Sequence, residues 1–445
     1  MEGLAEIRDF LWGFPMLLLL LGTGVVITVR LNFLQVRKLL YALWLVVFKS
    51  RKSKTKAKGD ISPFQALTTA LAATVGTGNI AGVATAIATG GPGAVFWLWV
   101  SGFFGLATKF AEVVLAVKYR VTARDGTVSG GPMYYMSNAL KMKVLAAVFS
   151  FGTVIASITS GSMVQANSVV LAVSSTFEIY PAIISMVLMV SSGVVILGGI
   201  KRVGKITEGL VPLMTLLYVG GGAVVLYFYR SRILEAFSLI FTSAFRPMAA
   251  VGGFGGAALM EIIRNGMARG VFANEAGVGS SPIAHAAAKT DSPVRQGLVA
   301  MVEVFINTFI VCTLTSLVII ATGNWKTGLT SSELTAVSFN DALPGLGSLI
   351  VVAGLILFAF STILGWSYYG EKGFQFIFGT RLTILYRLAF IFSIYFGGVS
   401  AIQTVWYLAD VANCLMAIPN LLALFLLSGT VVKITKAELD QKAKN

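Results

Sequence analysis

The stretch Ala72-Ala73-Thr74-Val75-Gly76-Thr77-Gly78-Asn79-Ile80-Ala81-Gly82 decides how this chain is read. Gly76, Gly78 and Ala81 satisfy the glycine pattern of a dinucleotide-binding turn, which requires a soluble strand before the glycines and an acid about twenty residues after them. Neither condition is met. Residues 62–119 are almost wholly apolar, and no Asp or Glu occurs between Asp60 and Glu112. The glycines serve another purpose, inside a segment that water does not reach.

Composition places that segment. Hydrophobic residues make up 56% of the chain and charged residues 12%, a balance that belongs in a lipid bilayer rather than in a soluble domain. A spanning helix needs roughly 20 apolar residues, and by that rule the chain divides into about eleven spans. They cover approximately 10–31, 64–89, 93–118, 145–174, 181–200, 208–229, 250–287, 296–322, 346–370, 382–399 and 402–428. Residues 38–48 are too few to cross and are placed on the membrane surface. The first apolar run follows Glu2, Glu6 and Asp9, where a signal peptide would be basic, so it reads as a retained span. Cys312 and Cys414 are far apart in apolar runs and support neither a disulfide framework nor a zinc site.

The basic residues orient the spans. The loop after the first span carries Arg37, Lys38, Lys49, Arg51, Lys52, Lys54, Lys56 and Lys58, and positive loops stay in the cytoplasm, so the N-terminus is expected outside. Threading the remaining spans keeps most of the 34 Lys and Arg residues on the cytoplasmic side. The outer segments hold Arg8, Arg230, Arg232, Arg246 and Lys326, while the tail with Lys433, Lys436, Lys442 and Lys444 is cytoplasmic. The net charge of +15 is thus a topology signal for a multi-pass plasma-membrane protein, and a nucleic-acid partner is rejected.

In a hydrocarbon slab, unwound helix is tolerated only where the freed backbone faces a cavity or buried protein, so Gly-Thr-Gly-Asn at mid-span marks a candidate binding site. A second interrupted span lies within 250–287, with Gly266, Gly270, Gly277, Gly279 and then Pro282. Two broken spans, each opening a group of five, imply an all-α polytopic membrane protein with one extra N-terminal helix and a 5+5 inverted-repeat core, the plan of a secondary transporter. The expected division is 1–62 for the outer N-terminus, extra helix and basic loop, 63–229 and 230–428 for the two repeats, and 429–445 for a cytoplasmic tail. The repeat rests on topology alone, since the halves share no obvious sequence identity.

An unwound helix offers two kinds of ligand. Amide N–H groups at the start of a half-helix, here Gly76, Thr77 and Gly78, form a partly positive nest for a carboxylate. Carbonyls freed on the other half, here Ala72 and Val75, can replace part of a sodium ion's water shell, and Asn79 adds a neutral amide oxygen. Small residues also simply permit close helix packing, which is the reading for Gly82, Gly90 and Gly91. Packing does not call for an Asn in mid-bilayer. Gln165 either reaches a substrate or bridges helices, and Phe272 and Trp366 are candidate walls of a pocket. Glu275 is an intramembrane acid and so a functional candidate, although pairing with Arg264 or Arg269 would give it a purely structural role. Lys109 and Glu112, three apart, are expected to face each other. The single His, His285, has no partner evident in the sequence.

Residues 90–105, GGPGAVFWLWVSGFFG, resemble a signature of the alanine or glycine:cation symporters, and GGPMYYM at 130–136 and ANEAGVGSSPIAHAAA at 273–288 are similar to further blocks of that family. The resemblance runs from about Pro63 to Leu427. It implies the five-plus-five inverted fold of leucine and neurotransmitter:sodium symporters, preceded by one extra helix, and sodium- or proton-driven uptake of alanine, glycine or similar small amino acids. By the same likeness Asn79 is a cation ligand beside the substrate carboxylate, Gly76 to Gly78 bind that carboxylate, and Ser361 and Thr362 join Ala72 and Val75 around a second cation. Sodium is the expected coupling ion, since these groups need no titrating residue; a proton would need Glu275. One His and two separated Cys leave little from which to build an enzyme, and a passive channel is the nearer rival. Oligomeric state is left open.

Overall fold

A computed structural model describes residues 11–50, 57–122, 126–245, 255–400 and 403–444. Among these residues seven helices are long and apolar enough to cross a membrane: Ala94–Lys118, Lys143–Phe177, Gly199–Phe228, Pro293–Thr322, Leu346–Phe378, Thr380–Val399 and Val405–Asp440. Two more pairs meet the same criterion only together, because each is bent at a short break: Pro15–Arg30 with Leu34–Lys49 at 81°, and Pro63–Thr74 with Gly78–Gly90 at 52°, for up to nine spans. Pro181–Ile196 is apolar but short, and Gly255–Asn274 carries Glu261, Arg264 and Arg269, so the expected total of about eleven is not reached on length and composition alone. The basic residues Arg51 to Lys56, the acidic N-terminal residues with Arg8, Arg246, and the start of the span expected from residue 250 lie outside the described residues.

The polarity is that of a chain surrounded by lipid. Leu216 is 72% and Leu234 83% exposed, while Asn79, Lys109, Glu112, Glu303 and Asn307 are completely buried. Intramembrane polar groups face the bundle interior because hydrocarbon offers them no partner. The turn at Asn32 and Phe33, both with positive φ, swings Leu34–Lys49 away from the first helix, as a segment lying along a surface requires. The last helix continues from Gln403 to Lys444, and the residues expected as a tail are helical as far as Lys444.

Two interruptions organise the interior. The first half-helix starts with Ser62 as N-cap, in a reciprocal capping box with Gln65, and with Pro63 at its first position. It ends where Val75 leaves helical geometry at φ −82° and ψ 87°, and the chain rewinds through a π turn at Gly78–Gly82 into Val83–Gly90. At the second interruption Gly255–Asn274 stops at Glu275, with φ of 52°, and Gly277 and Gly279 continue in left-handed conformations before Pro282 opens a short helix, Pro282–Ala286. Arg120 ties the ends of the two broken segments together. Its guanidinium donates to the carbonyls of Ala286, Ala288, Lys58 and Thr290 at 2.6–2.9 Å.

Candidate functional site

The first interruption is braced by amides and hydroxyls. Asn79 Oδ1 accepts from the Gly76 N–H at 3.0 Å and from Asn307 Nδ2 at 3.4 Å, while Asn79 Nδ2 donates to Cys312 Sγ and the Asn307 carbonyl. Asn307 Nδ2 also donates to the freed Thr74 carbonyl at 2.9 Å. Asn307 sits in a π-helical stretch, Phe305–Cys312, which turns its side chain toward the break. Asn79 thus holds the two half-helices in register, and it engages one of the amides expected to receive a carboxylate.

At the end of the first half-helix, the Ala72 carbonyl meets Ser361 Oγ at 3.1 Å and Thr362 Oγ1 at 3.2 Å. Each hydroxyl also lies against the Phe358 carbonyl, at 2.8 and 2.9 Å. A hydroxyl has one proton and two lone pairs, so neither can donate to both carbonyls at once. Three of the oxygens assigned to a cation from the sequence are therefore gathered at one place. Val75 is fully buried at the break, with its own N–H on Leu71 O, and the hydroxyls reach Ala72 instead.

A small cavity of about 30 Å³ lies between the two interruptions. Gly76, Thr77 and Gly78 form one wall, Phe272 and Glu275 another, and Gln165, Thr362 and Trp366 complete it, so all the expected substrate residues but Asn79 line one space. Gly76 in this wall, and Gly161 behind Trp366, are both closely approached by neighbouring side chains. A Cβ on Gly76 would fall 2.7 Å from Thr362 Oγ1, and one on Gly161 2.3 Å from Trp366 Cβ. Gln165 donates from Nε2 to Ser160 O at 3.1 Å, and its Oε1 is buried without a hydrogen-bond partner. Trp12, Ser160 and Asn413 also line the cavity, and none of them stands out in the sequence. Trp12 reaches it from near the N-terminus, with Nε1 donating to Asp410 O at 3.0 Å.

The second interruption is braced by charge. Lys109 Nζ lies 3.4 Å from Glu303 and donates to Ser281 Oγ at 3.0 Å and to the Glu275 carbonyl at 3.3 Å. Glu303 in turn accepts from Ser281 at 3.0 Å and meets His285 Nε2 at 3.4 Å, and His285 Nδ1 meets Gln296 at 2.8 Å. Glu112 accepts from the Gly277 N–H at 3.0 Å and from Asn420 Nδ2 at 2.6 Å. Lys109 and Glu112 therefore turn to different partners rather than to each other, because residues on facing helices outcompete the local i,i+3 contact. Glu275 is likewise held not by Arg264 or Arg269 but by Trp366 Nε1, at 3.1 Å, and by Ser280 Oγ. The signal for Glu303 and Asn307 was present as an acid and an amide within an apolar span, the same warrant that singled out Glu275 and Asn79.

The sodium:alanine symporter family model matches residues 1–445. A sodium/alanine symporter of Methanococcus maripaludis is 51% identical over 439 residues, covering 97% of this chain and 95% of its own length. A probable sodium/glutamine symporter of Bacillus subtilis is 38% identical over 443 residues, covering 98% and 90%. A crystal structure of MhsT in complex with L-phenylalanine matches with a TM-score of 0.56 over 85% of this chain and 99% of that one; at 14% identity this is a likeness of fold. A match along the full length, together with a relative identical at half of its aligned positions, leaves one conclusion: the chain belongs to the sodium:alanine symporter family.

Proposed function

We propose that this protein is a secondary active transporter that couples inward movement of sodium to uptake of a small neutral amino acid, alanine or glycine, by alternating access. The observation that carries the reading is the meeting of Ala72 O, Ser361 Oγ and Thr362 Oγ1 beside an unwound segment. Three neutral oxygens with more lone pairs than protons suit a hard cation, and they contain no group that must titrate. Val75 and Asn79 complete the proposed set. One sodium ion moving inward through 100 mV contributes about 2.3 kcal/mol, enough for a substrate gradient of nearly fifty-fold.

The substrate site follows from the cavity. With the Gly76 amide held by Asn79, the amides of Thr77 and Gly78 begin the second half-helix and face the carboxylate. Gln165 Oε1, an acceptor without a partner, suits the substrate ammonium. Phe272 and Trp366 close the space and favour alanine or glycine over a longer side chain such as glutamine. Around this site the protein forms eleven spans, with 63–229 and 230–428 as repeats of inverted orientation, the N-terminus outside and the C-terminus in the cytoplasm of a plasma-membrane protein. The clustering of basic residues supports that orientation.

Counterflow of labelled alanine in proteoliposomes, with and without sodium, tests the reading. Sodium-dependent exchange that glycine competes and that large or basic amino acids do not is the expected result. Exchange indifferent to sodium, or competed equally by large amino acids, would defeat it.

A further inference from the structure

Two buried acceptors in the wall of the central cavity have no hydrogen-bond partner among the described residues: Gln165 Oε1, assigned above to the substrate ammonium, and Asn413 Oδ1. Asn413 lies on the last helix, Gln403–Lys444, and is only 6% exposed. A buried amide oxygen is rarely left unpaired, and a polar group within a membrane span is a candidate for function. Glu275, Thr362 and Trp366 in the same wall are already engaged. Glu275 accepts from Trp366 and Ser280 with its two oxygens, and Thr362 lies against the Ala72 and Phe358 carbonyls.

We infer that Asn413 is a specificity-determining residue, which joins Gln165 as a second neutral acceptor for the ammonium of the transported amino acid. The inference rests on the function proposed above and adds to it a residue that reads the amino end of the substrate. An ammonium carries three donors, so one amide oxygen cannot satisfy it. A second amide adds an acceptor without adding charge to a cavity that lies beside the proposed sodium ligands.

The packing brings the two amides to the same space. Val164, next to Gln165, clusters with Ala409, one turn before Asn413, together with Val405 and Trp406. Beyond Asn413, a Cβ on Gly152, in the same span as Gln165, would fall 2.9 Å from Leu415 Cβ, so the two helices touch on both sides of Asn413. Gln165 is aimed by its own hydrogen bond. Its Nε2 donates to Ser160 O at 3.1 Å, and its Oε1 stands 3.7 Å from where a Cβ on Gly76 would fall, facing the first interruption. Beside Asn413 it is the backbone that is held, since Trp12 Nε1 donates to the carbonyl of Asp410 at 3.0 Å. A half-turn of the Asn413 terminal torsion, which is broad and roughly two-fold, presents either end of its amide. With the substrate carboxylate on the Thr77 and Gly78 amides, the oxygen is the end that the ammonium selects.

Uptake kinetics of the full-length protein in proteoliposomes test this role. Asn413→Leu keeps the size of the side chain and removes the acceptor. It is expected to raise the alanine KM about tenfold and to leave the maximal rate within about twofold, while inhibition by propionate, which has no ammonium, stays as in the native chain. Asn413→Asp keeps an oxygen in place and is expected to hold the alanine KM within about threefold of native. An unchanged KM in Asn413→Leu, alanine and propionate weakened together, or Asn413→Asp as impaired as Asn413→Leu overturns the inference. Asn413→Ala carries the same comparison should the leucine chain not fold. Sodium dependence of uptake by the native chain is recorded alongside. Its absence defeats the proposed function, whereas its presence with an unchanged KM in Asn413→Leu defeats the role of Asn413 alone.

Discussion

The two interruptions differ in what holds them. The first, at Val75 to Thr77, is braced by Asn79, Asn307 and two hydroxyls, and among the described residues no charged side chain hydrogen-bonds to it. The second, at Glu275 to Ser281, is tied to the Ala94–Lys118 and Pro293–Thr322 helices through Lys109, Glu112 and Glu303. Neutral dipoles can be rearranged around an arriving ion at modest cost, whereas a buried ion pair is lost only at the penalty of leaving a charge in hydrocarbon. The first break is accordingly the one suited to exchange ligands during transport. The second is suited to hold its shape and to move with the helices it is bound to.

The largest expected effect comes from removing the charge that fixes the second break. Lys109→Met leaves Glu303 buried without its ammonium and is expected to cost about 3–5 kcal/mol of stability, seen as a lower unfolding temperature in detergent. Lys109→Met with Glu303→Leu should recover much of it. A single variant as stable as the native protein would mean that charge does not hold this break.

At the first break, Asn79→Ala strips the Gly76 amide of its acceptor and leaves Asn307 Nδ2 with the Thr74 carbonyl alone. A cost of about 1–3 kcal/mol follows from that loss, and uptake should fall roughly ten- to a hundredfold while the protein still folds. Native uptake in this variant would show that Asn79 neither braces the break nor serves an ion. Thr362→Ala removes one oxygen from the Ala72 cluster and is expected to raise the half-saturating sodium concentration about tenfold, read from uptake against sodium. An unchanged sodium dependence would take Thr362 out of the ligand set. Smallest is Glu275→Gln, which keeps an oxygen for Trp366 to donate to and should alter uptake by less than about 1 kcal/mol equivalent.

Local chemistry was legible in the sequence where it depends on local conformation. Glycines within an apolar run gave away both interruptions, because unwound backbone in hydrocarbon must face a cavity, and Gly76 to Gly78 do line one. Ser361 and Thr362 were found only through the family resemblance, and the structure brings them to Ala72. What depends on the meeting of distant segments was not legible. Trp12 and Asn413 enter the cavity from opposite ends of the chain, and no spacing rule joins them. The i,i+3 spacing of Lys109 and Glu112 suggested a pair, but the tertiary fold offers Lys109 the carboxylate of Glu303 and gives Glu112 to Asn420. Asn79 was recognised as important for a sound reason, an amide in mid-span, yet its side chain turns into the break rather than into the cavity.

The most direct test of the central claim is accumulation of labelled alanine in proteoliposomes under an inward sodium gradient, with internal and external pH equal, for the native chain, Thr362→Ala and Glu275→Gln. The account expects the sodium gradient alone to drive accumulation in the native chain and in Glu275→Gln, and Thr362→Ala to require more sodium. Full accumulation driven by a pH gradient alone, abolished by Glu275→Gln and untouched by Thr362→Ala, would contradict it and make Glu275 the coupling residue.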